Sequence, residues 1–165
     1  MISIIAAISQ NYVISQKNKI PWNISKDLLW FKKHTINKVI IMGRNTWNTI
    51  KIPLPMRKHI ILSKKKHKSI HLNKKYPIKW AKSIQDAIKL SKSYSEKMII
   101  GGGEIYSQFL PITTKLYLTH VKKIIPGDVF FPKYKNYKWK KIYQTKNFID
   151  KKSNLIYFHE ILEKM

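Results

Sequence analysis

The stretch KMIIGGGEIYSQFL, residues 97 to 110, places a short apolar run before three glycines and a helical pattern. The apolar run predicts a buried strand over 97–100, and EIYSQFL predicts a helix. Glycines at such a junction leave the N–H groups of the helix N-terminus open to an anion. A tight turn without a ligand is the alternative, because the spacing is not that of the GxGxxG fingerprint.

A second junction of this kind lies earlier in the chain. There the predicted strand KVIIM, residues 38–42, runs through Gly43 into the helical stretch RNTWNTI. Two strand–glycine–helix junctions in one parallel sheet would suit the phosphates of a dinucleotide.

Apolar runs alternate with amphipathic ones along the rest of the chain. This alternation predicts an α/β fold, with one domain over residues 1–165. We expect a mostly parallel sheet of about eight strands, an antiparallel C-terminal hairpin at one edge, and about four flanking helices. The other predicted strands are 2–8, 58–63, 78–81, 115–121, 138–144 and 155–162, and the other predicted helices are 25–35, with Ser25 as N-cap, and 83–91.

The composition is that of a globular protein, with 44% hydrophobic residues and no cysteine. Disulfides and thiolate metal sites are thereby excluded. The apolar N-terminus MISIIAAIS lacks a basic flank and is too short to span a bilayer. We therefore expect a cytoplasmic protein that does not enter a membrane.

The net charge of +25 raises the question of a nucleic-acid partner. The basic residues are nearly all lysines, spread along the chain with one cluster at 64–75. Because Lys, Asn and Ile are all abundant, A/T-rich coding explains the charge better than a selected binding face. His67 and His71 are four residues apart in this lysine-rich stretch and are not expected to bind a metal.

The two arginines stand out against this background. Arg44 and Arg57 occur where the rest of the chain uses lysine. A guanidinium group offers a planar fork that matches a carboxylate or phosphate, whereas an ammonium group does not. Both are candidate anion-binding residues, unless two arginine codons survived by chance.

Asp27 is one of eight acidic residues, and it lies within the apolar stretch IPWNISKDLLWFKK, residues 20–33. An unpaired carboxylate in apolar surroundings is unfavourable, so it is either solvated or functional. An acid in the first turn of a helix, stabilised by the helix dipole, is the structural alternative.

Taken in order, these features resemble bacterial dihydrofolate reductases nearly from end to end. Six motifs carry the resemblance: PWNISKDLLWFK (21–32), MGRNTW (42–47), PLPMRKHIILS (53–63), IGGGEIYSQFLP (100–111), KLYLTH (115–120) and GDVFFP (127–132). The resemblance implies NADPH-dependent reduction of dihydrofolate by a monomer.

The resemblance also implies the role of each site residue. Asp27 would hold the amidine edge of the pterin, with Thr119 bonded to its carboxylate, and Arg57 would bind the α-carboxylate of the glutamate tail. Asp128 would order the lid loop that carries Ile20. The catalytic group would comprise Ile20, Trp22, Asp27, Tyr106 and Thr119. The substrate side would comprise Ile5, Ala7, Asp27, Leu28, Phe31, Lys32, Ile50, Leu54, Arg57, Ile100 and Thr119.

The cofactor side would be a longer set. Within it, Arg44, Ser63 and Lys64 would surround the adenosine 2′-phosphate and favour NADPH over NADH. It would comprise Ala7, Val13, Ile14, Ser15, Gln16, Lys17, Asn18, Lys19, Ile20, Gly43, Arg44, Asn45, Thr46, Leu62, Ser63, Lys64, Lys82, Gly101, Gly102, Gly103, Glu104, Ile105, Tyr106 and Gln108.

Several positions depart from the family pattern, although none contacts the pterin. Lys51 and Met56 take positions that are commonly glycine, and Ile52 takes an arginine position near the substrate tail. Two alternatives to this enzyme remain: a related pterin or pyrimidine reductase of the same fold, and a basic nucleic-acid-binding module.

Overall fold

The structure, a computed structural model, describes residues 1–65 and 77–165. The helices are α1 (Ser25–Thr35), α2 (Arg44–Ile50), α3 (Ile84–Leu90) and α4 (Gly103–Phe109), and short 3-10 turns cover Leu110–Ile112 and Tyr134–Asn136. The strands are β1 (Ile2–Ser9), β2 (Val13–Ser15), β3 (Val39–Gly43), β4 (Lys58–Leu62), β5 (Ile78–Ala81), β6 (Lys97–Gly101), β7 (Lys115–Val121), β8 (Val129–Phe130), β9 (Trp139–Gln144), β10 (Phe148–Ile149) and β11 (Ile156–Lys164).

Nine of these strands form one sheet, in the order β10-β11-β7-β1-β6-β3-β4-β5, and β9 also pairs with β11. The pairs from β7 through β5 are parallel. The pairs of β11 with β7, β9 and β10 are antiparallel. The expected mostly parallel sheet with an antiparallel C-terminal edge is therefore confirmed.

Both faces of the central strands are buried, which explains their continuous apolar runs. On one face, Ile4 and its neighbours join a core with α3 and α4, which contribute Ala87 and Phe109. On the other face, Ile5 joins a core that includes Trp47 of α2 and, partly buried, Phe31 of α1. The one-residue alternation between Ile4 and Ile5 follows from the two-residue period of a strand.

The predicted helices and long strands agree with the structure to within about two residues at each end. One expectation is wrong: Ser25 is the first residue of α1, and Ile24 is the N-cap, without a side-chain capping bond. The sequence patterns also missed β2, β8 and β10, which are two or three residues long and exist through pairing with distant segments. His67, His71 and most of the lysine cluster at 64–75 lie outside the described residues.

The carboxyl ends of β1, β3 and β6 lie side by side in the sheet, and β3 and β6 run directly into helices there. In open α/β sheets, ligands bind outside the carboxyl ends of the strands, where connections diverge to the two sides. Here β6 and β7 flank β1 on opposite sides, so the opening lies beside β1. In the part of the chain that the structure describes, no helix is both long and apolar enough to cross a membrane.

Candidate active site

A cleft of about 1250 Å³ opens at this end of the sheet. Its walls come from β1, α1, the β3–α2 junction, the β6–α4 junction and the loop after β2. Pockets for one small molecule have volumes of about 300–1,000 Å³. The cleft therefore has room for two ligands side by side.

Asp27 lies at the apolar end of this cleft, in the first turn of α1. Thr119 of β7 donates its hydroxyl proton to Oδ1 of Asp27 over 2.5 Å. The Asp27 side chain is 17% exposed. Burial raises the pKa of the Asp27 carboxyl above its ordinary value, and the hydrogen bond from Thr119 offsets part of this effect. The carboxylate is thus held in place with acceptor capacity left for a ligand.

Apolar side chains surround Asp27 on the cleft wall. Leu28 is 58% exposed and Ile20 is 62% exposed, although both are large and apolar. Exposed apolar groups that line a concavity favour an apolar ligand body. The apolar residues that line this end are Ile5, Ala7, Ile20, Leu28, Phe31, Ile50, Leu54 and Ile100.

Tyr106 of α4 connects this end of the cleft to β1. Its hydroxyl donates to the carbonyl oxygen of Ile5 over 2.8 Å. Full burial raises the pKa of Tyr106, so the phenol keeps its proton. The Ile5 carbonyl is thereby oriented at the bottom of the cleft.

Arg57 is buried except for the part that lines the cleft. Its Nε donates to the carbonyl of Pro55 over 2.9 Å, and its Nη1 donates to Oγ1 of Thr35 over 3.1 Å. These bonds orient the guanidinium while leaving donors for an anion. Lys32 lines the cleft as well, and its side chain is exposed.

The opposite end of the cleft is rich in positive charge and open backbone. Arg44, Lys64, Lys65 and Lys82 line it. Helices α2 and α4 begin there after Gly43 and Gly102, and neither helix has a side-chain capping bond among the described residues. Free N–H groups and cationic side chains together suit phosphate.

Gly101 has a backbone conformation that requires glycine. Its φ is +133°, and an added Cβ would lie 3.2 Å from Oγ1 of Thr46. Residues with a side chain rarely adopt this φ. The sequence signal of three glycines therefore reflects a backbone requirement at residue 101 as well as the openness of the junction.

The loop after β2 closes over the cleft near Ile20. The backbone N–H of Lys17 donates to Oδ2 of Asp128 over 2.9 Å, and the N–H of Asp128 donates to the carbonyl of Ser15 over 3.1 Å. Asp128 is thus hydrogen-bonded to this loop at two positions, and its role in ordering the loop stays a prediction.

Four residues from the predicted site lie outside the walls of the cleft. Val13 is fully buried beneath the loop, and Trp22 is buried in a separate cluster with Ile24. Gln16 and Lys17 form the turn of the loop. The remaining predicted residues all line the cleft. Sequence reasoning missed Ala6, Trp30, Thr49, Lys65, Ser83, Ile84, Gln85 and Val129, which also line it.

His159 of β11 was also missed. It lies directly opposite Thr119 in the antiparallel β7–β11 register. Its Nδ1 is 2.9 Å from Oγ1 of Thr119 and 3.9 Å from Oδ1 of Asp27. Asp27 lies in α1 and His159 in β11, with 131 residues between them and no sequence motif that links them. Only the register of β11 against β7 brings His159 to this position.

Comparison with known proteins agrees with this architecture. The family model for dihydrofolate reductase matches residues 1–164. A dihydrofolate reductase of Buchnera aphidicola subsp. Acyrthosiphon pisum is 50% identical over 165 residues, covering 99% of both chains. That of the subspecies Baizongia pistaciae is 51% identical over 145 residues, covering 88% of this chain and 85% of the relative.

A solved structure provides a third comparison. The Enterococcus faecalis dihydrofolate reductase complexed with NADP(H) and RAB-propyl has a TM-score of 0.86 and 25% identity, covering 99% of this chain and 96% of that one. Since the family model spans nearly the whole chain, and a solved dihydrofolate reductase has the same fold, this chain belongs to the dihydrofolate reductase family.

Proposed function

We propose that this chain reduces 7,8-dihydrofolate to 5,6,7,8-tetrahydrofolate with NADPH, and thereby supplies folate-dependent one-carbon metabolism. The observation that carries the proposal is the Asp27 carboxylate at the apolar end of a two-ligand cleft, bonded to Thr119 over 2.5 Å. A pterin has an apolar ring body and an amidine edge that matches a carboxylate through two hydrogen bonds.

On the substrate side, each group has one task. Asp27 accepts from N3 and the 2-amino group of the pterin, and this contact favours protonation at N5. Leu28, Phe31, Ile50 and Leu54 pack against the aminobenzoyl ring, and Arg57 binds the carboxylate of the tail. Water admitted between Asp27 and Ile20 delivers the proton to N5. Excluding bulk water elsewhere strengthens these electrostatic contacts.

The cofactor end of the cleft fits a dinucleotide phosphate. Its donors are the open N–H groups after Gly43 and Gly102 and the cations Arg44, Lys64 and Lys82. Arg44, Ser63 and Lys64 would hold the 2′-phosphate and so favour NADPH over NADH. When bound, NADPH supplies a hydride from nicotinamide C4 to C6 of the substrate. Tyr106 and Ile20 would position the two rings for this transfer.

Two further functions are disfavoured by particular observations. A related pterin or pyrimidine reductase would not need Arg57 pinned beside the cleft by Pro55 and Thr35. A nucleic-acid-binding module would not need a deep cleft with a buried carboxylate.

We further propose that residues 1–165 act as one domain, as a cytoplasmic monomer that binds nucleic acid without specificity.

The direct test is the loss of NADPH absorbance when dihydrofolate is added to the folded protein. We expect turnover that depends on both substrates and is slower with NADH. The Arg44→Ala/Lys64→Ala double variant should lose this preference for NADPH. Folded protein that oxidises no NADPH with dihydrofolate would overturn the proposal.

A further inference from the structure

His159 forms a three-membered hydrogen-bonded chain with Thr119 and Asp27. The distances are 2.9 Å from Nδ1 to Oγ1 of Thr119 and 2.5 Å from that Oγ1 to Oδ1 of Asp27. A threonine hydroxyl donates one proton and accepts at its oxygen. Because an ionised carboxylate can only accept, the proton of Thr119 points to Asp27. Its oxygen must then accept from His159, which places a proton on Nδ1.

From this chain we infer that His159 is a positioning residue: by donating from Nδ1 to Thr119, it holds the threonine hydroxyl directed at the Asp27 carboxylate. This inference rests on the proposed function only in its effect on turnover. A carboxylate with a fixed donor on one side presents its remaining lone pairs to the cleft in one orientation.

The surroundings hold the imidazole in place. Its ring stacks on Trp30 of α1 with a centroid distance of 4.3 Å and an interplanar angle of 7°. The His159 backbone N–H donates to Oγ1 of Thr145 over 2.9 Å, and its carbonyl accepts from the N–H of Thr145 over 2.9 Å. Tyr157 and Phe148 contact the ring at 5.6 and 6.3 Å between centroids. The ring is therefore locked against rotation away from Thr119.

Burial among these rings keeps His159 neutral at pH 7. It lowers the pKa of His159 to about 4, and His34 on α1 acts in the same direction when it is protonated. Burial also lowers the pKa of His34 to about 4 and raises the pKa of Tyr157. The charged groups near these rings in the described residues include Asp27, whose Oδ1 lies 3.9 Å from Nδ1 of His159, and Lys26, whose Nζ lies 5.7 Å from the Phe148 centroid. Asp150 and Asp27 also help to raise the pKa of Tyr157. A neutral imidazole bears one proton, so the Nδ1–H form is a defined tautomer rather than a cation.

The alternative to a positioning role is that the ring of His159 contributes only packing. Phenylalanine would keep the stack on Trp30 but would lose the donor to Thr119. Asparagine would lose the stack, but its side-chain amide can place a donor near the position of Nδ1. The two substitutions at residue 159 therefore separate packing from hydrogen bonding.

The first experiment needs no activity. Nitrogen-15 NMR of the unliganded protein at pH 7 should show the Nδ1–H tautomer for His159. Carbon-13 NMR of the Asp27 carboxyl should show its titration shifted to higher pH in His159→Phe, because hydrogen bonding to the charged form favours that form. Finding the Nε2–H tautomer while Asp27 is ionised, or an unchanged Asp27 titration in His159→Phe, would overturn the inference.

The second experiment uses turnover. In His159→Phe we expect kcat/KM for dihydrofolate to fall about fivefold, as for loss of one hydrogen bond. The pH profile should shift upward with Asp27, and His159→Asn should restore most of both. His120→Phe is the matched control, since it removes a histidine–carboxylate contact, to Glu160 over 2.8 Å, that lies outside the cleft. It should leave the profile unchanged.

These experiments distinguish failure of the His159 inference from failure of the proposed function. If the wild-type protein oxidises no NADPH with dihydrofolate, the proposed function fails while both NMR measurements still test His159. If His159→Phe does not fold, the tautomer of the wild-type protein and the titration of Asp27 in His159→Asn still test the inference. Equal kcat/KM and equal pH profiles for wild type and His159→Phe would reduce His159 to a packing residue.

Discussion

Two partly buried acids, Glu96 and Asp27, differ in pKa because they differ in hydrogen-bond partners. Burial alone would raise the pKa of Glu96, yet hydrogen bonds from Lys38, Ser3 and Tyr117 together lower it. Asp27 has a hydrogen bond from Thr119 alone among the described residues, and its pKa is raised. Glu96 is satisfied within the fold, whereas Asp27 is left with acceptors for a ligand.

Asp27→Asn should abolish most activity at pH 7 and at the same time stabilise the protein. The folded pKa of Asp27 is raised above the unfolded value of about 3.9. Stability therefore falls as pH rises from the unfolded pKa through the folded pKa, because ionisation is less favourable in the folded protein. Asparagine avoids this loss, so its advantage appears above about pH 4 and disappears below it. Urea unfolding above and below about pH 4 measures the effect on stability, and NADPH oxidation at pH 7 measures the effect on activity.

The matched control for this variant is Glu96→Gln. It removes the anion that pairs with Lys38, and we expect it to lower the free energy of unfolding by about 1.5–3 kcal/mol. Wild-type turnover in Asp27→Asn at pH 7 would remove Asp27 from the mechanism.

Arg57→Lys should raise KM for dihydrofolate more than it lowers kcat. The ammonium group cannot contact Pro55, Thr35 and a carboxylate together, and the tail is remote from the reacting carbon. Loss of the charged contact should cost about 1.5–3 kcal/mol. Steady-state kinetics with Lys32→Ala in parallel measures this. If KM stays constant in Arg57→Lys and rises in Lys32→Ala, Lys32 binds the tail instead.

At the scale of elements, the β6–α4 junction combines a structural requirement with an open helix end. Gly101 has a φ of +133°, whereas Gly102 has a φ of −84° that any residue can adopt. The two neighbouring glycines therefore serve different purposes. Gly101 lets the chain turn, and Gly102 leaves the α4 N-terminus accessible.

Gly101→Ala should lower the free energy of unfolding by about 1–3 kcal/mol, because alanine is strained at this φ. Gly102→Ala is the control in the same junction, since its Cβ would meet only Oγ1 of Thr46, at 3.4 Å, among the described atoms. We expect Gly102→Ala to fold with nearly unchanged stability. Urea unfolding compares the pair, and equal losses would show that the backbone angle is not the cause.

At the scale of the whole molecule, the net charge of +25 surrounds a cleft that binds anions in the proposed function. Dihydrofolate and NADPH are both anions, and charges act over a Debye length of about 10 Å at 0.1 M salt. We expect kcat/KM to fall as salt rises, mainly through slower substrate capture.

Random-sequence RNA at about 0.15 M salt tests the nucleic-acid alternative. It should leave turnover nearly unchanged, because non-specific binding collapses as salt rises. Tight, sequence-selective binding at that salt would make nucleic acid a true partner.

Three histidines, His59 and His159 buried and His34 partly buried, should make the fold sensitive to acid. Burial lowers the pKa of His34, His59 and His159 to about 4 each. The unfolded chain takes up these protons near pH 6.5, so stability should fall as pH falls from about 6.5 to about 4. Asp27 acts in the opposite sense, because its folded carboxyl takes up a proton first.

His59→Gln tests this acid sensitivity. The Nε2 of His59 accepts from the N–H of Leu54 over 2.9 Å, and a glutamine oxygen can replace that acceptor without titrating. The variant should lose less stability than the wild type between pH 6.5 and pH 4 in urea unfolding. An unchanged slope would exclude His59 from the effect.

The sequence by itself determined the long elements and the family. Apolar runs such as 97–100 are buried on both faces, so the strands can be predicted from the sequence without knowledge of their neighbours. Asp27 and Arg57 stand out by residue type alone. Only the tertiary structure decided what depends on pairing between distant segments. The two-residue β8 exists because β2 lies beside it, and Ile24 replaces Ser25 as the N-cap of α1. His159 reaches the Asp27–Thr119 pair through the β7–β11 register, and a register between strands about 40 positions apart has no local signal in the chain.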